Sequence, residues 1–146
     1  MTLLALAATA EATGQPSQDR PYRIGKDGTV DWATYSGYRR INAYCESCHG
    51  FDGAGSAFAP SLVDSVKRLP HDAFVALIAT GKQEVSTART VKMPGYAGNP
   101  NVMCYVDDIY AYLKARADGA LGRGRPPGHE PKPPSAAKAE STCLGQ

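Results

Sequence analysis

The sequence lacks three things that would each define a class of function. No apolar run is long enough to cross a bilayer: the opening stretch, MTLLALAATA, covers residues 1–10, where about 20 are needed. No integral membrane span is therefore expected in the mature chain. Basic residues form no stripe. Lysine and arginine number 16 against 14 acidic side chains, a net charge of +2, and a chain without a basic patch has no electrostatic footprint for nucleic acid. No segment alternates apolar and polar residues as a half-buried strand does, and no internal repeat is visible. What remains is an all-α pattern with much loop, since 11 prolines and 15 glycines stand among 146 residues. A domain this small buries its core inefficiently, and an internal cofactor or a disulfide would help it.

Four regions are expected. Residues 1–12 read as the apolar core of a secretory signal, with Ala8 and Ala10, or Ala10 and Ala12, as the small residues of a cleavage site. The charged segment that precedes such a core is missing, so the start codon is expected further upstream. Export implies the periplasm, an oxidising compartment where disulfides persist. Residues 13–29 have linker composition, residues 30–118 carry the helical patterns, and residues 119–146 form a Pro/Gly-rich tail, extended or disordered unless tied down. Within the helical region, DWATYSGYRRINAYC has Asp31 as its N-cap and Trp32, Tyr35, Ile41 and Cys45 at helical spacing. SLVDSVKRL and HDAFVALIATG are shorter helices. VMCYVDDIYAYLKARADG is the clearest, with Ile109, Tyr112 and Leu113 in its buried stripe and Asp107 and Asp108 facing solvent. Residues 82–101 read as an extended loop.

Against this background one pentapeptide stands out. Cys45-Glu46-Ser47-Cys48-His49 is C-x-x-C-H, the attachment signature of a c-type haem. Two thiols three positions apart at a helix end can bond to the two vinyl groups of one porphyrin, and the next residue then points its imidazole at the iron. A zinc site would want a second pair at matched spacing, whereas Cys104 and Cys143 lie far apart. A thioredoxin-like dithiol would need a βαβ context that this pattern does not offer. A second signal is VKMPGY, which places Met93 before a proline in an irregular stretch, a poor position for a core residue and a good one for a thioether ligand. Met103 opens the last helix and reads as core. His71, at the start of a helix, reads as exposed or capping, and His129 as a tail residue.

These features together resemble class I cytochrome c, over roughly residues 30–117: a helix, C-x-x-C-H, a glycine-rich loop ending in Ala59-Pro60-Ser61-Leu62, two short helices, Met93-Pro94-Gly95-Tyr96, and a final helix. The resemblance implies helices wrapped around one covalently attached haem c. Cys45 and Cys48 would hold it, with His49 and Met93 as axial ligands and the Pro60 carbonyl accepting the His49 N–H. The first and last helices would cross, with Tyr38 and Ile41 against Ile109 and Leu113. Phe58, Leu62, Leu69, Phe74, Leu77, Ile78 and Tyr96 are candidates for the cavity wall, and Arg68, Arg89 and Lys92 for the propionates.

More narrowly, MPGYAGNPNVMCYVDDIYAYLKARADGALGRGRP resembles the four-cysteine, cytochrome cL-like acceptors of PQQ-dependent methanol and alcohol dehydrogenases. That implies a donor of this kind, a downstream cytochrome c or oxidase as acceptor, and no substrate transformed on this chain. Cys104 and Cys143, which remain once the motif has taken its pair, are expected to form a disulfide. The alternatives are a buried free Cys104 and a free tail thiol. Three other functions stay open: a general class I electron carrier, a haem peroxidase or sensor with an open iron position, and a haem-free thiol oxidoreductase.

Overall fold

The computed structural model describes residues 20–85, 87 and 90–146. The expected signal segment and Arg89 lie outside the described residues. Asp31 starts the first helix, α1 (Trp32–Arg40), by accepting the Thr34 N–H on Oδ1 at 2.8 Å. The rod does not stop at Arg40. It widens into a π-type turn over Ile41–Cys45 and continues as α2 (Glu46–His49), ending at Gly50 with φ of 73°. A helix locally unwound in this way often marks a functional position.

Four further helices complete the body: α3 (Leu62–Ser65), α4 (His71–Thr80), α5 (Pro100–Met103) and α6 (Val106–Ala117). α1 crosses α6 so closely that a Cβ on Gly37 would stand 1.9 Å from the Asp108 carbonyl oxygen. Tyr112 and Leu113 are fully buried beside this crossing, and the Tyr38 ring meets that of Tyr112 edge-on at 5.7 Å between centroids. Ile41 and Ile109 belong to the same core. Tyr22 and Leu121, from outside the helical stretch, join it as well, and the Tyr22 hydroxyl donates to Asp118 at 2.9 Å.

Two small sheets correct the expectation that the chain has no strands. β1 (Thr29–Val30) pairs in parallel with β4 (Gly128–His129), bringing the tail back to the start of α1. β2 (Lys82–Val85) and β3 (Thr90–Met93) form an antiparallel hairpin inside the presumed loop. The hairpin was illegible because β2 is exposed on every residue, so no apolar alternation marks it.

The tail also departs from an extended chain. Pro134–Leu144 is a helix, α7, that opens on Pro133-Pro134 and closes at Gly145, φ 72°. Its alanines are strong helix formers, yet none of its residues is buried. A Cys104–Cys143 disulfide holds it to the body, and Glu140 pairs with Lys132, whose ammonium lies over the Trp32 ring at 5.6 Å. With a sequence separation of 39, such a link contributes on the order of 4 kcal/mol in the chain-entropy treatment.

One side-chain expectation needs extending and another revising. His71 is exposed as expected, but it also makes a contact that was not foreseen: its Nε2 lies 2.8 Å from Asp107, joining the N-termini of α4 and α6. That carboxylate raises the His71 pKa, partly opposed by desolvation. Asp108 does not face solvent as Asp107 does. Lodged against α1, it has its pKa pushed up to about 6, chiefly by burial, with Glu140, Asp107 and Asp31 adding to the rise and a Ser36 hydrogen bond opposing it.

The folded state therefore holds a proton on Asp108 that the unfolded chain releases near pH 4. Stability from this group should be full below about pH 4 and fall as pH rises through about 6. Asp108→Asn should flatten that fall in denaturant titrations across this range. The variant is expected to match the wild type at low pH and exceed it at pH 8.

Candidate functional site

α2 ends where the site begins. Cys45 is half-buried, Cys48 is exposed, and both thiols are free. Burial, with a smaller contribution from Cys48, pushes the Cys45 thiol up to about 11. That is the opposite of an activated thiolate, and it disfavours the thiol-oxidoreductase reading. His49 is buried, 8% exposed, and its Nδ1 lies 2.8 Å from the Pro60 carbonyl oxygen. A carbonyl only accepts, so Nδ1 carries the hydrogen and Nε2 is left with its lone pair.

The loop that presents Pro60 is folded back by its own backbone. Gly55 N–H donates to the His49 carbonyl at 2.6 Å. A Cβ on Gly50 would stand 2.2 Å from the Gly55 carbonyl oxygen, so only glycine allows this approach. Ser61 then caps α3 by accepting the Asp64 N–H at 3.0 Å, which fixes the chain on the far side of Pro60.

A single apolar cavity adjoins these residues. Leu62, Leu69, Phe74, Leu77 and Ile78 line one part of it, with Val102 and Ile109 from α5 and α6. Phe58 lines it too but is 78% exposed, at the rim rather than in the wall. Met93 and Tyr96 line another part. Met93 ends β3 in register with Lys82, and the segment after it is laid along the end of α4. There Tyr96 N–H donates to the Ile78 carbonyl at 2.9 Å and Ala97 N–H to the Ala79 carbonyl at 3.1 Å. The Tyr96 hydroxyl donates to the Tyr44 carbonyl at 3.3 Å, joining this segment to the C-x-x-C-H rod.

Met103, His71 and Arg68 do not line the cavity; Lys92 does. Lys82, Glu84, Pro94 and Tyr44 also line it and were missed in the sequence. Lys82 and Glu84 come to the mouth only through the β2–β3 hairpin, which left no periodic signal.

The donor set fits a haem. Two free thiols, one imidazole with a free Nε2 and one thioether face an apolar space, as a porphyrin with a borderline-soft iron requires. Residues 33–113 match the family model described as cytochrome c oxidase, cbb3-type, subunit III. The chain belongs to the c-type cytochromes and carries one covalently bound haem c.

Among known members it is 50% identical over 129 residues to cytochrome c-553I of Paracoccus denitrificans, covering 88% of this chain and 57% of that protein. It is 38% identical to cytochrome c-555 of Methylococcus capsulatus over 65% of this chain and 72% of that one. The crystal structure of the c-type cytochrome XoxG from Methylobacterium extorquens AM1 superposes with a TM-score of 0.74. The identity there is 45%, over 88% of this chain and 85% of that one. The chain thus spans little more than half the length of the Paracoccus relative.

Tyr96→Phe deletes the hydrogen bond to Tyr44 and keeps the ring against the cavity. A loss of about 1 kcal/mol is expected in denaturant unfolding, the usual net worth of one such bond. Tyr96→Ala, which also removes the wall, should cost about 3 kcal/mol or more.

Proposed function

We propose that the chain is a periplasmic carrier that accepts single electrons from a PQQ-dependent methanol or alcohol dehydrogenase and passes them to a downstream cytochrome c or oxidase. The observation that carries the electron-transfer reading is the meeting of Cys45, Cys48, His49 and Met93 at one apolar cavity. In this reading Cys45 and Cys48 would hold the haem through thioethers, and His49 and Met93 would be the residues that ligate its iron. The bound haem supplies reversible one-electron Fe(II)/Fe(III) chemistry. The protein's own residues orient, exclude and select. Pro60 fixes the ring of His49 and leaves its other nitrogen free to ligate. The aliphatic wall keeps water from the buried face. With both His49 and Met93 on the iron, no position would be left for a substrate, as a carrier rather than a peroxidase or sensor requires.

The donor is inferred from the resemblance of residues 93–126 to the cytochrome cL-like acceptors and from the likeness to XoxG. The Cys104–Cys143 link accords with an exported, oxidised protein. No helix among the described residues is long and apolar enough to cross a membrane.

Two experiments test the two levels of this reading. In the first, denatured wild type should keep its haem on a gel, and Cys48→Ala should weaken or abolish that retention. Met93→Ala should remove the weak long-wavelength sulfur–iron band of the ferric protein, lower its potential and admit added ligands, while Met103→Ala should leave the band in place. A band that survives Met93→Ala would move the ligand elsewhere.

The second experiment addresses the donor. In stopped flow the oxidised protein should take electrons from a quinoprotein alcohol dehydrogenase at least tenfold faster than a generic class I cytochrome c. Equal rates would leave only a general carrier.

A further inference from the structure

We propose that Asp52 and Arg116 form a buried charge pair that sets the potential of the haem iron, Asp52 lowering it and Arg116 raising it. The inference rests on the haem attachment proposed above. Asp52 follows His49 by three positions, so at ~3.6 Å per residue its Cα lies within about 11 Å of the ligand's. The turn between them is tighter than that limit, because Gly53 N–H donates to the Gly50 carbonyl at 2.9 Å. Asp52 is 0% exposed and holds φ at 58°, a left-handed conformation that few non-glycine residues adopt.

The surroundings of its carboxylate are lopsided. Oδ2 accepts the Gly124 N–H at 2.7 Å and lies 3.4 Å from Arg116 Nη1. Oδ1 is buried and has no hydrogen-bond partner among the described residues. Arg116, whose side chain is 7% exposed, donates from Nη1 to the Tyr112 hydroxyl at 3.0 Å. Tethering residue 124 to the turn needs only one acceptor, which an asparagine would supply without a buried charge. Burying a charge pair costs desolvation that its attraction often fails to recover, and an unpartnered carboxylate oxygen adds to that cost. A structural tie therefore accounts for the hydrogen bond to Gly124 but not for the charges.

Charges account for themselves if they act on a third charge. Asp52 sits on the turn that follows the ligand histidine, with Arg116 3.4 Å from its carboxylate, and a charge held there away from solvent acts on the iron with little salt screening. A carboxylate stabilises Fe(III) over Fe(II), and a guanidinium does the reverse. Burial and local charge are among the levers by which a protein tunes a haem at fixed axial ligation. The same hydrogen bond ties the stretch between α6 and β4 to the turn at Gly124.

The test is the midpoint potential of the holo-protein, measured by spectroelectrochemistry at pH 7 in low and high salt. Asp52→Asn should shift it upward, Arg116→Gln downward, and the double variant should fall between the two, with shifts that persist in high salt. Shifts of one sign in both single variants, or no shift in either, overturn the proposal. Arg116→Gln leaves a buried carboxylate unpaired and is the variant more exposed to misfolding. Asp52→Asn keeps an acceptor for Gly124 and decides by itself: a raised potential supports the pair, and an unchanged or lowered one overturns it. Each variant is checked for covalent haem and for the sulfur–iron band. A protein that lacks haem counts against the attachment reading, and one that keeps it with an unshifted potential counts against this inference alone.

Discussion

The closeness of α1 to α6 is the constraint on which the rest depends. Backbone meets backbone at Gly37 and Asp108, where even a methyl group would overlap a carbonyl oxygen. Contact at that range lets the short helices seal a core from few side chains, among them Tyr112, Leu113 and Ile109. It also aims the chain. α1 runs on through the π-type turn to Cys45, Cys48 and His49, and α6 sends Ile109 to the same cavity. The crossing has a local cost, since it lodges the Asp108 carboxyl where water is scarce.

Two chain segments that do not neighbour each other in sequence face the cavity, and main-chain hydrogen bonds hold both. The turn after His49 is closed by Gly55, and the turn after Met93 is laid along the end of α4 through Tyr96 and Ala97. Side chains contribute selectively: Pro60 settles which imidazole nitrogen bears hydrogen, and Tyr96 links the two segments through the Tyr44 carbonyl. A site held by main chain on packed helices changes little when one electron arrives, because few soft torsions are free to respond.

The tail is attached in a different manner. Leu121 enters the core, His129 stacks on Tyr35 at 3.8 Å between ring centroids, and β4 pairs with β1. α7 contributes no buried residue, so its position depends on the disulfide and on Lys132 with Glu140. Segments with little buried surface open most readily, and here a covalent link replaces the missing burial.

C-x-x-C-H needs no tertiary context to be read, because its chemistry is set by spacing within five residues. α1 and α6 were equally legible, since an N-cap at Asp31 and a stripe through Ile109, Tyr112 and Leu113 are local patterns. The helix expected from Val102 is nonetheless broken after Met103, which ends α5 instead of opening α6. Met93 could be singled out by its proline neighbour, since Pro94 alone biases the backbone before it. The β2–β3 hairpin could not be, as exposed strands carry no apolar period, and neither could α7, whose alanines lie in a proline-rich stretch. Asp108 and Asp52 were misjudged or passed over for one shared reason. Whether a carboxylate is solvated depends on what another part of the chain places over it, α1 for Asp108 and Arg116 with Gly124 for Asp52. Spacing within a segment sets its covalent and helical chemistry, while burial and charge pairing belong to the packed chain.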